Sequence, residues 1–270
     1  MPSTPNSSSR PLALVTGASS GIGRAYAERL GADGYDLVVV ARRADRLEEL
    51  KRRLESEHGV SVRPLVADLS TASGRHNVDA AAADPRLEML VDSAALAHYM
   101  PFLNLPPETA EELVNLNVLA PVRLIRAALP GMVKRGKGAV ISLSSLHAFS
   151  ATSENPNFPQ RAVYASSKAF LLMFVQLLAA ELRGTGVKVQ VVCPGIVKTE
   201  FHTRQNIDMS ARPRLDPEDV VKASMIALEL GEVVCIPTLE EAAVLERHNQ
   251  AENEVMAAVM RPTLAQRYSG

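Results

Sequence analysis

The chain has 270 residues, 47% of them hydrophobic, and a formal net charge of −1. That length and apolar content fit one large α/β domain or two small ones around a sizeable core. The near-neutral charge excludes a global field that would gather nucleic acid or an anionic membrane, though a local pair such as Arg42-Arg43 suffices for a single phosphate.

Residues 1–10, MPSTPNSSSR, are polar and rich in Pro and Ser, and read as a disordered N-terminal tail without an apolar signal core. From Leu12 onward strands and helices alternate. Strands are expected at Leu12–Val15, Asp36–Ala41, Val62–Val66, Leu87–Val91, Ala139–Leu143, Val187–Cys193 and Val233–Ile236. Helices are expected at about 22–30, 44–57, 71–83, 107–135 (broken near Pro121 and Pro130), 164–183 and 217–230, followed by a polar helical tail. The strands are apolar throughout rather than alternating, so both faces are buried. Alternating β and α segments then predict a Rossmann-type, doubly wound parallel sheet flanked by helices, with ligands beyond the carboxyl ends of the strands. No linker or repeat divides the chain, so 11–270 reads as a single catalytic domain. No uninterrupted apolar run approaches the ~20 residues that span a bilayer, which predicts a soluble, cytoplasmic protein with no membrane partner. Cys193 and Cys235 sit in apolar runs and read as buried core thiols. The six histidines show no metal-ligand spacing, and no basic stripe with stacking aromatics points to nucleic acid.

Chemistry concentrates at the predicted strand ends. Thr16-Gly17-Ala18-Ser19-Ser20-Gly21-Ile22-Gly23 follows a strand and opens a helix. Glycines there permit a tight turn and bring backbone N–H groups and the helix N-terminus up to a pyrophosphate. Arg42 and Arg43 end the second strand, where a carboxylate would grip a ribose 2′-hydroxyl and a guanidinium instead suits a 2′-phosphate. Asp68 ends the third strand; it can accept a hydrogen bond from a ligand or cap the helix that follows. Ser144 and Ser145 end the fifth strand, where a hydroxyl can bind a substrate carbonyl. Tyr164 and Lys168 are spaced i, i+4, so one helix face carries phenol and ammonium together, and a nearby positive charge is expected to lower the phenol's pKa.

The turn TGASSGIG, joined to Tyr164-Ala165-Ser166-Ser167-Lys168 after a Ser-Ser strand end, resembles the classical short-chain dehydrogenase/reductase family over about residues 11–236. The resemblance implies an NADP(H)-dependent oxidoreductase interconverting a carbonyl compound and a secondary alcohol. Its catalytic set would be Asn117, Ser145, Tyr164 and Lys168, with Asn115 and Ser144 as neighbouring candidates. It places the cofactor on Gly17, Ser19, Ser20, Gly21, Ile22, Gly23, Arg42, Arg43, Asp68, Leu69, Ser93, Ala94, Tyr164, Lys168, Pro194, Gly195, Ile196, Val197 and Thr199. It implies a small-molecule substrate at Ser145, His147, Phe149 and Tyr164, no metal, and a homodimer or homotetramer formed through helices 107–135 and 164–183.

Two features depart from the family. Asp92-Ser93-Ala94-Ala95 stands where it has Asn-Asn-Ala-Gly, which motivates a second reading as a cofactor-binding regulatory or interaction protein. The interval between Ser145 and Tyr164 is longer than usual and carries Phe149, Pro156, Phe158 and Pro159. We read it as a loop over the cleft mouth, joined by His98, Tyr99, Met100, Phe102, Phe201 and His202 in a partly apolar pocket for a medium-sized substrate.

Overall fold

A computed structural model describes residues 10–155, 160–260 and 262–268. Seven strands form one sheet in the order β3-β2-β1-β4-β5-β6-β7: β1 Leu12–Thr16, β2 Asp36–Ala41, β3 Val62–Val66, β4 Leu87–Asp92, β5 Gly138–Leu143, β6 Val187–Val192 and β7 Val234–Cys235. Every pairing is parallel. Helices α1 (Gly21–Ala32), α2 (Ala44–His58) and α8 (Pro217–Leu230) pack on one face. Helices α3 (Ala72–Ala82), α4 (Pro107–Val114), α5 (Ala120–Arg135) and α6 (Ala162–Glu181) pack on the other.

Two apolar clusters fill these layers, and the strands alternate between them. Ala13 and Val15 join the first cluster, while Leu12 and Leu14 join the second. Both faces are therefore dry, which is why the strands read as continuous apolar runs. Pro64 sits in β3, an edge strand, where its missing N–H need not serve a second neighbour. Inside the first layer Gln190 of β6 donates to the carbonyls of Ser224 and Glu232 and accepts from the Ser224 hydroxyl at 2.6 Å, so this buried amide is satisfied.

Helix 107–135 departs from expectation. It is one helical run rather than a broken one, α4 passing into α5 through a π-turn at Asn115–Leu119. Pro121 falls at the second position of α5, where the register has just changed and the Ala120 N–H reaches back to the Asn115 carbonyl. Pro130 lies inside α5 without ending it. This run and α6 are also long and apolar enough, by length and composition, to span a bilayer, although charged residues interrupt both; here each buries one face in the second cluster.

The chain divides into two compact units, Met1–Pro237 and Thr238–Gly270. The second carries helix α9 (Ala243–Val259), which buries none of its residues. This matches the polar helical tail expected from the sequence.

The turns that lead into β5 and β6 meet back to back. Gly186 has φ +77°, and a Cβ there would stand 2.1 Å from the Gly136 carbonyl oxygen. Gly186→Ala should therefore cost about 2–3 kcal/mol in backbone strain and displacement, lowering the thermal midpoint by roughly 5 °C or more. Calorimetry or urea denaturation against the parent protein checks this.

Candidate active site

The strand ends converge on a cleft of ≈ 370 Å³. At its floor lies the turn between β1 and α1. A Cβ on Gly17 (φ +68°) would meet the backbone of Ser93 and Ala94 at 3.0 Å, and one on Gly23 would lie 2.6 Å from the Gly17 carbonyl oxygen. Only bare backbone lets β1, α1 and the end of β4 approach this closely. Ser20 precedes α1, yet its side chain makes no cap bond, because its hydroxyl receives Arg43 Nη2 at 2.9 Å. The first-turn N–H groups of α1 thus face the cleft without a side-chain acceptor, at the positive end of the helix dipole.

Thr16 ties this turn to β4. Its hydroxyl accepts the N–H groups of Ser93 (2.9 Å) and Ala94 (3.0 Å) and donates to Asp92 Oδ1 at 3.2 Å. Ala95 is unstrained: among the described residues Asn206 is the one non-glycine at positive φ. The Ala-for-Gly departure therefore costs nothing in backbone conformation. Asp92 is 3% exposed and pairs in register with Ser142 of β5, whose buried hydroxyl has no partner. Burial pushes the Asp92 carboxyl up to about 6, against the opposing pull of the Lys168 charge and the Thr16 hydroxyl.

Tyr164 and Lys168 rise from α6 on one face, as the spacing predicted, and both are buried. Lys168 Nζ donates to the Leu143 carbonyl at 2.8 Å. Burial lowers its pKa to about 8, and the Asp92 charge works against that drop. The Tyr164 phenol departs from the sequence reading. Burial raises it to about 12, while hydrogen bonds with Ser145 and Tyr99 pull it down. The ammonium lies 5.9 Å from the ring centroid and bonds to Leu143, so desolvation outweighs it.

The neighbouring candidates differ in their surroundings. Ser145 faces Tyr164 and accepts the His147 N–H at 3.2 Å, whereas the Ser144 hydroxyl turns away to the Lys168 carbonyl at 2.8 Å. Asn117, 1% exposed, accepts from Leu96 N and donates to Leu96 O and the Ser167 hydroxyl, which offsets its burial; Asn115 is only half-buried. Because Pro121 has no N–H, the Asn117 carbonyl lacks the usual helical donor four residues on. At Asp68 the capping reading shifts: Thr71 caps α3, while Asp68 lines the cleft and its Oδ1 accepts from the Ser70 N–H and hydroxyl.

An aromatic wall stands over Tyr164. Tyr99 meets it edge-on at 5.6 Å, His147 at 5.9 Å and Phe201 at 6.0 Å, and His202 stacks on Tyr99 at 6.2 Å. Arg161 Nε donates to His147 Nδ1 at 2.9 Å. Burial, with help from Arg161 and His202, lowers His147 to about 4, so the imidazole is neutral at neutral pH.

The cleft lining includes Gly17, Ser19, Ser20, Gly21, Ile22, Arg42, Arg43, Asp68, Leu69, Ser93, Ala94, Ser145, His147, Tyr164, Lys168, Pro194, Gly195, Ile196, Val197 and Thr199, as expected, along with Tyr99, Phe201 and His202. Gly23 and Asn117 support it from behind. Phe149 does not line it; its ring packs against the second apolar cluster, where burial is more favourable. Phe102 is 64% exposed and also stands apart. Pro156, Phe158 and Pro159 of the expected loop lie outside the described residues. Sequence reading missed the polar cluster of Arg46, Glu200 and Arg204, whose members are too far apart in the chain to signal one another.

A parallel sheet with a glycine turn after β1 and a Tyr/Lys pair facing a strand-end serine defines a dinucleotide-dependent oxidoreductase class. The short chain dehydrogenase family model matches residues 11–210, and the chain belongs to that family. A short-chain dehydrogenase from Sphingobium yanoikuyae, solved in complex with NADPH, superposes with a TM-score of 0.89 at 36% identity, covering 96% of this chain and 100% of that one. The bulky-bulky ketone specific alcohol dehydrogenase from Comamonas testosteroni gives 0.85 at 31% identity, covering 96% and 98%. The very-long-chain 3-oxoacyl-CoA reductase-B of Danio rerio is 30% identical over 225 residues, 81% of this chain and 68% of that protein. The chain spans 60–68% of the length of this and the mammalian reductases it matches.

The Asp92 carboxyl yields a stability prediction. Its folded pKa of about 6 lies above the ordinary 3.8, so the folded state holds the proton more tightly. The resulting cost is absent while both states are protonated, grows as pH rises from about 4 to about 6, and is constant above that. Asp92→Asn should therefore stabilise the protein by about 1–3 kcal/mol at pH 7.5, net of the lost Lys168 counter-charge, and by less at pH 4.5. Urea denaturation at the two pH values measures both differences.

Proposed function

We propose that this protein is an NADP(H)-dependent oxidoreductase that interconverts a carbonyl compound and a secondary alcohol. One observation carries the reading: the Tyr164 hydroxyl hydrogen-bonds with Ser145 above the buried Lys168, in the same cleft as the glycine turn. The residues fit a phosphorylated dinucleotide. Gly17 and Gly23 let β1, α1 and the end of β4 pack closely enough for the N-terminus of α1 to face a pyrophosphate, and Arg42 and Arg43 offer guanidinium groups at the end of β2. Arg42 is well exposed and held only loosely, 3.8 Å from Asp68 and 3.9 Å from Glu112, so it is free to turn to a phosphate.

The bound nicotinamide supplies or takes the hydride. The chain supplies orientation and the proton. Ser145 holds the substrate oxygen, and Tyr164 gives that oxygen its proton in reduction and removes it in oxidation. Lys168, an ammonium below about pH 8, favours the phenolate once the site closes around it. Asn117 presents its carbonyl, unclaimed by Pro121, to a water that connects to Lys168. Tyr99, His147, Phe201 and His202 make a partly aromatic pocket with neutral imidazoles, suited to a medium-sized or bulky apolar carbonyl compound rather than a charged sugar. The ketone specificity named for the Comamonas enzyme is in keeping with this. Val114, Leu119 and Val133 on α4–α5 and Phe170, Met173 and Leu177 on α6 are exposed, which supports a homodimer or homotetramer formed through these helices.

Tyr164→Phe should bind NADPH normally and lose about 10²–10⁴-fold in turnover across a panel of ketones; near-parental rates would exclude it as the proton donor. NADPH should bind about ten- to a hundredfold tighter than NADH, and Arg42→Ala should erode that preference. Calorimetric titration of both cofactors measures each effect.

A further inference from the structure

The side of the cleft next to Arg43 holds a group of charges outside the catalytic set. Helix α7 (Glu200–Thr203) begins immediately after Thr199, and the Glu200 carboxylate gathers three guanidinium groups. Oε2 receives Arg43 Nη1 at 2.9 Å and Arg204 Nη2 at 2.5 Å, and Oε1 receives Arg46 Nη1. The same arginines reach the glycine turn. Arg43 Nη2 donates to the hydroxyls of Ser19 (2.8 Å) and Ser20 (2.9 Å), and Arg204 Nη2 approaches Ser20 Oγ at 3.4 Å. These guanidinium groups hold the Glu200 carboxyl down at about 2, so it is an anion at every working pH.

An anion already occupies this cationic site. A 2′-phosphate adds roughly two negative charges close to the end of β2. Glu200 and that phosphate compete for Arg43 and repel each other across it. We propose that Glu200 is an internal competitor for the cofactor's 2′-phosphate, and that its displacement from Arg43 releases α7 from the cofactor turn. This rests on the NADP(H) reading above.

The release reaches the chemistry because α7 touches both ends of the cleft. Behind it, Thr199 presses on the glycine turn, where a Cβ on Gly21 would stand 2.9 Å from Thr199 Cγ2. Within it, Phe201 contacts the Tyr164 ring and His202 stacks on Tyr99. A nucleotide bearing the phosphate thus loosens the segment that covers the substrate side, while one lacking it leaves Glu200 in place. Glu200 is a specificity-determining and positioning residue here, not a catalytic one.

The test uses adenosine 2′-phosphate and adenosine 5′-phosphate as probes beside NADPH and NADH, with the full-length parent and Glu200→Gln. By calorimetry, the variant should bind NADPH and adenosine 2′-phosphate about three- to tenfold tighter, with NADH and adenosine 5′-phosphate within about twofold of the parent. The gain should shrink at high salt, because these charges are partly exposed. By hydrogen exchange, adenosine 2′-phosphate should speed exchange of residues 200–206 in the parent, and the variant should show that faster exchange without ligand. A purely structural ion-pair role predicts instead that all four ligands change together or not at all, and either result overturns the inference. Exchange in 200–206 that ignores adenosine 2′-phosphate overturns it as well. A parent that prefers NADPH with a variant that fails to tighten refutes this inference alone, whereas a parent with no preference for the phosphorylated cofactor refutes the cofactor reading and this inference with it.

Discussion

Seven strands running in one direction bring seven carboxyl ends to a single edge, and the site depends on that constraint. Thr16, Asp92, Ser145 and Pro194 are far apart in the chain, yet each lies where a buried strand stops or just beyond it. The strands themselves are too apolar to offer chemistry. Polar groups enter only where the ladder ends, and a parallel arrangement gives them one place to do so. The helices follow from the same geometry. Each crossover must cover a face of the sheet, and α1 and α6 consequently arrive with the N-terminus of one and the polar stripe of the other at the same opening.

Burial then decides the electrostatics. Tyr164, Lys168 and Asp92 lie in surroundings where each prefers its neutral form, and each shifts in the direction desolvation demands. Lys168 and Asp92 offset part of each other's cost, so neither charge stands alone. The Asn-to-Asp departure from the family pattern exchanges an uncharged amide for a titrating group beneath the lysine. Its hydrogen bond from Thr16 keeps the β1–β4 junction intact, and Ala95 fits without positive φ. The segment that departs from the family pattern keeps its backbone geometry and carries the electrostatic cost of one buried carboxyl.

Much of the fold was legible because periodicity and turn chemistry are local. Apolar runs marked all seven strands, and the glycine turn announced its own strand-to-helix context. Tyr164 and Lys168 were legible because i, i+4 geometry is a property of any helix. The unread parts were those set by tertiary contact. No local rule shows that Phe149 joins the core rather than the cleft, or that Pro121 and Pro130 sit within a continuous helix. The sign of the Tyr164 shift needed the depth of burial, which sequence does not carry. Glu200 lies 157 residues from Arg43, and only the folded sheet edge brings them together.

The π-turn at Asn115–Leu119 has an evolutionary corollary. A π-turn holds one residue more than an α-turn, so the extra residue is absorbed within it and Leu113 before it keeps the phase with Leu124, Ile125, Ala128 and Met132 after it that an α-helix one residue shorter would give. Removing a single residue from this turn would return it to ordinary α-helix with the downstream apolar stripe still facing the sheet. The length of this helix can therefore differ by one residue between lineages at this turn without rebuilding the layer behind the active site, and the shorter form would lack the wide turn.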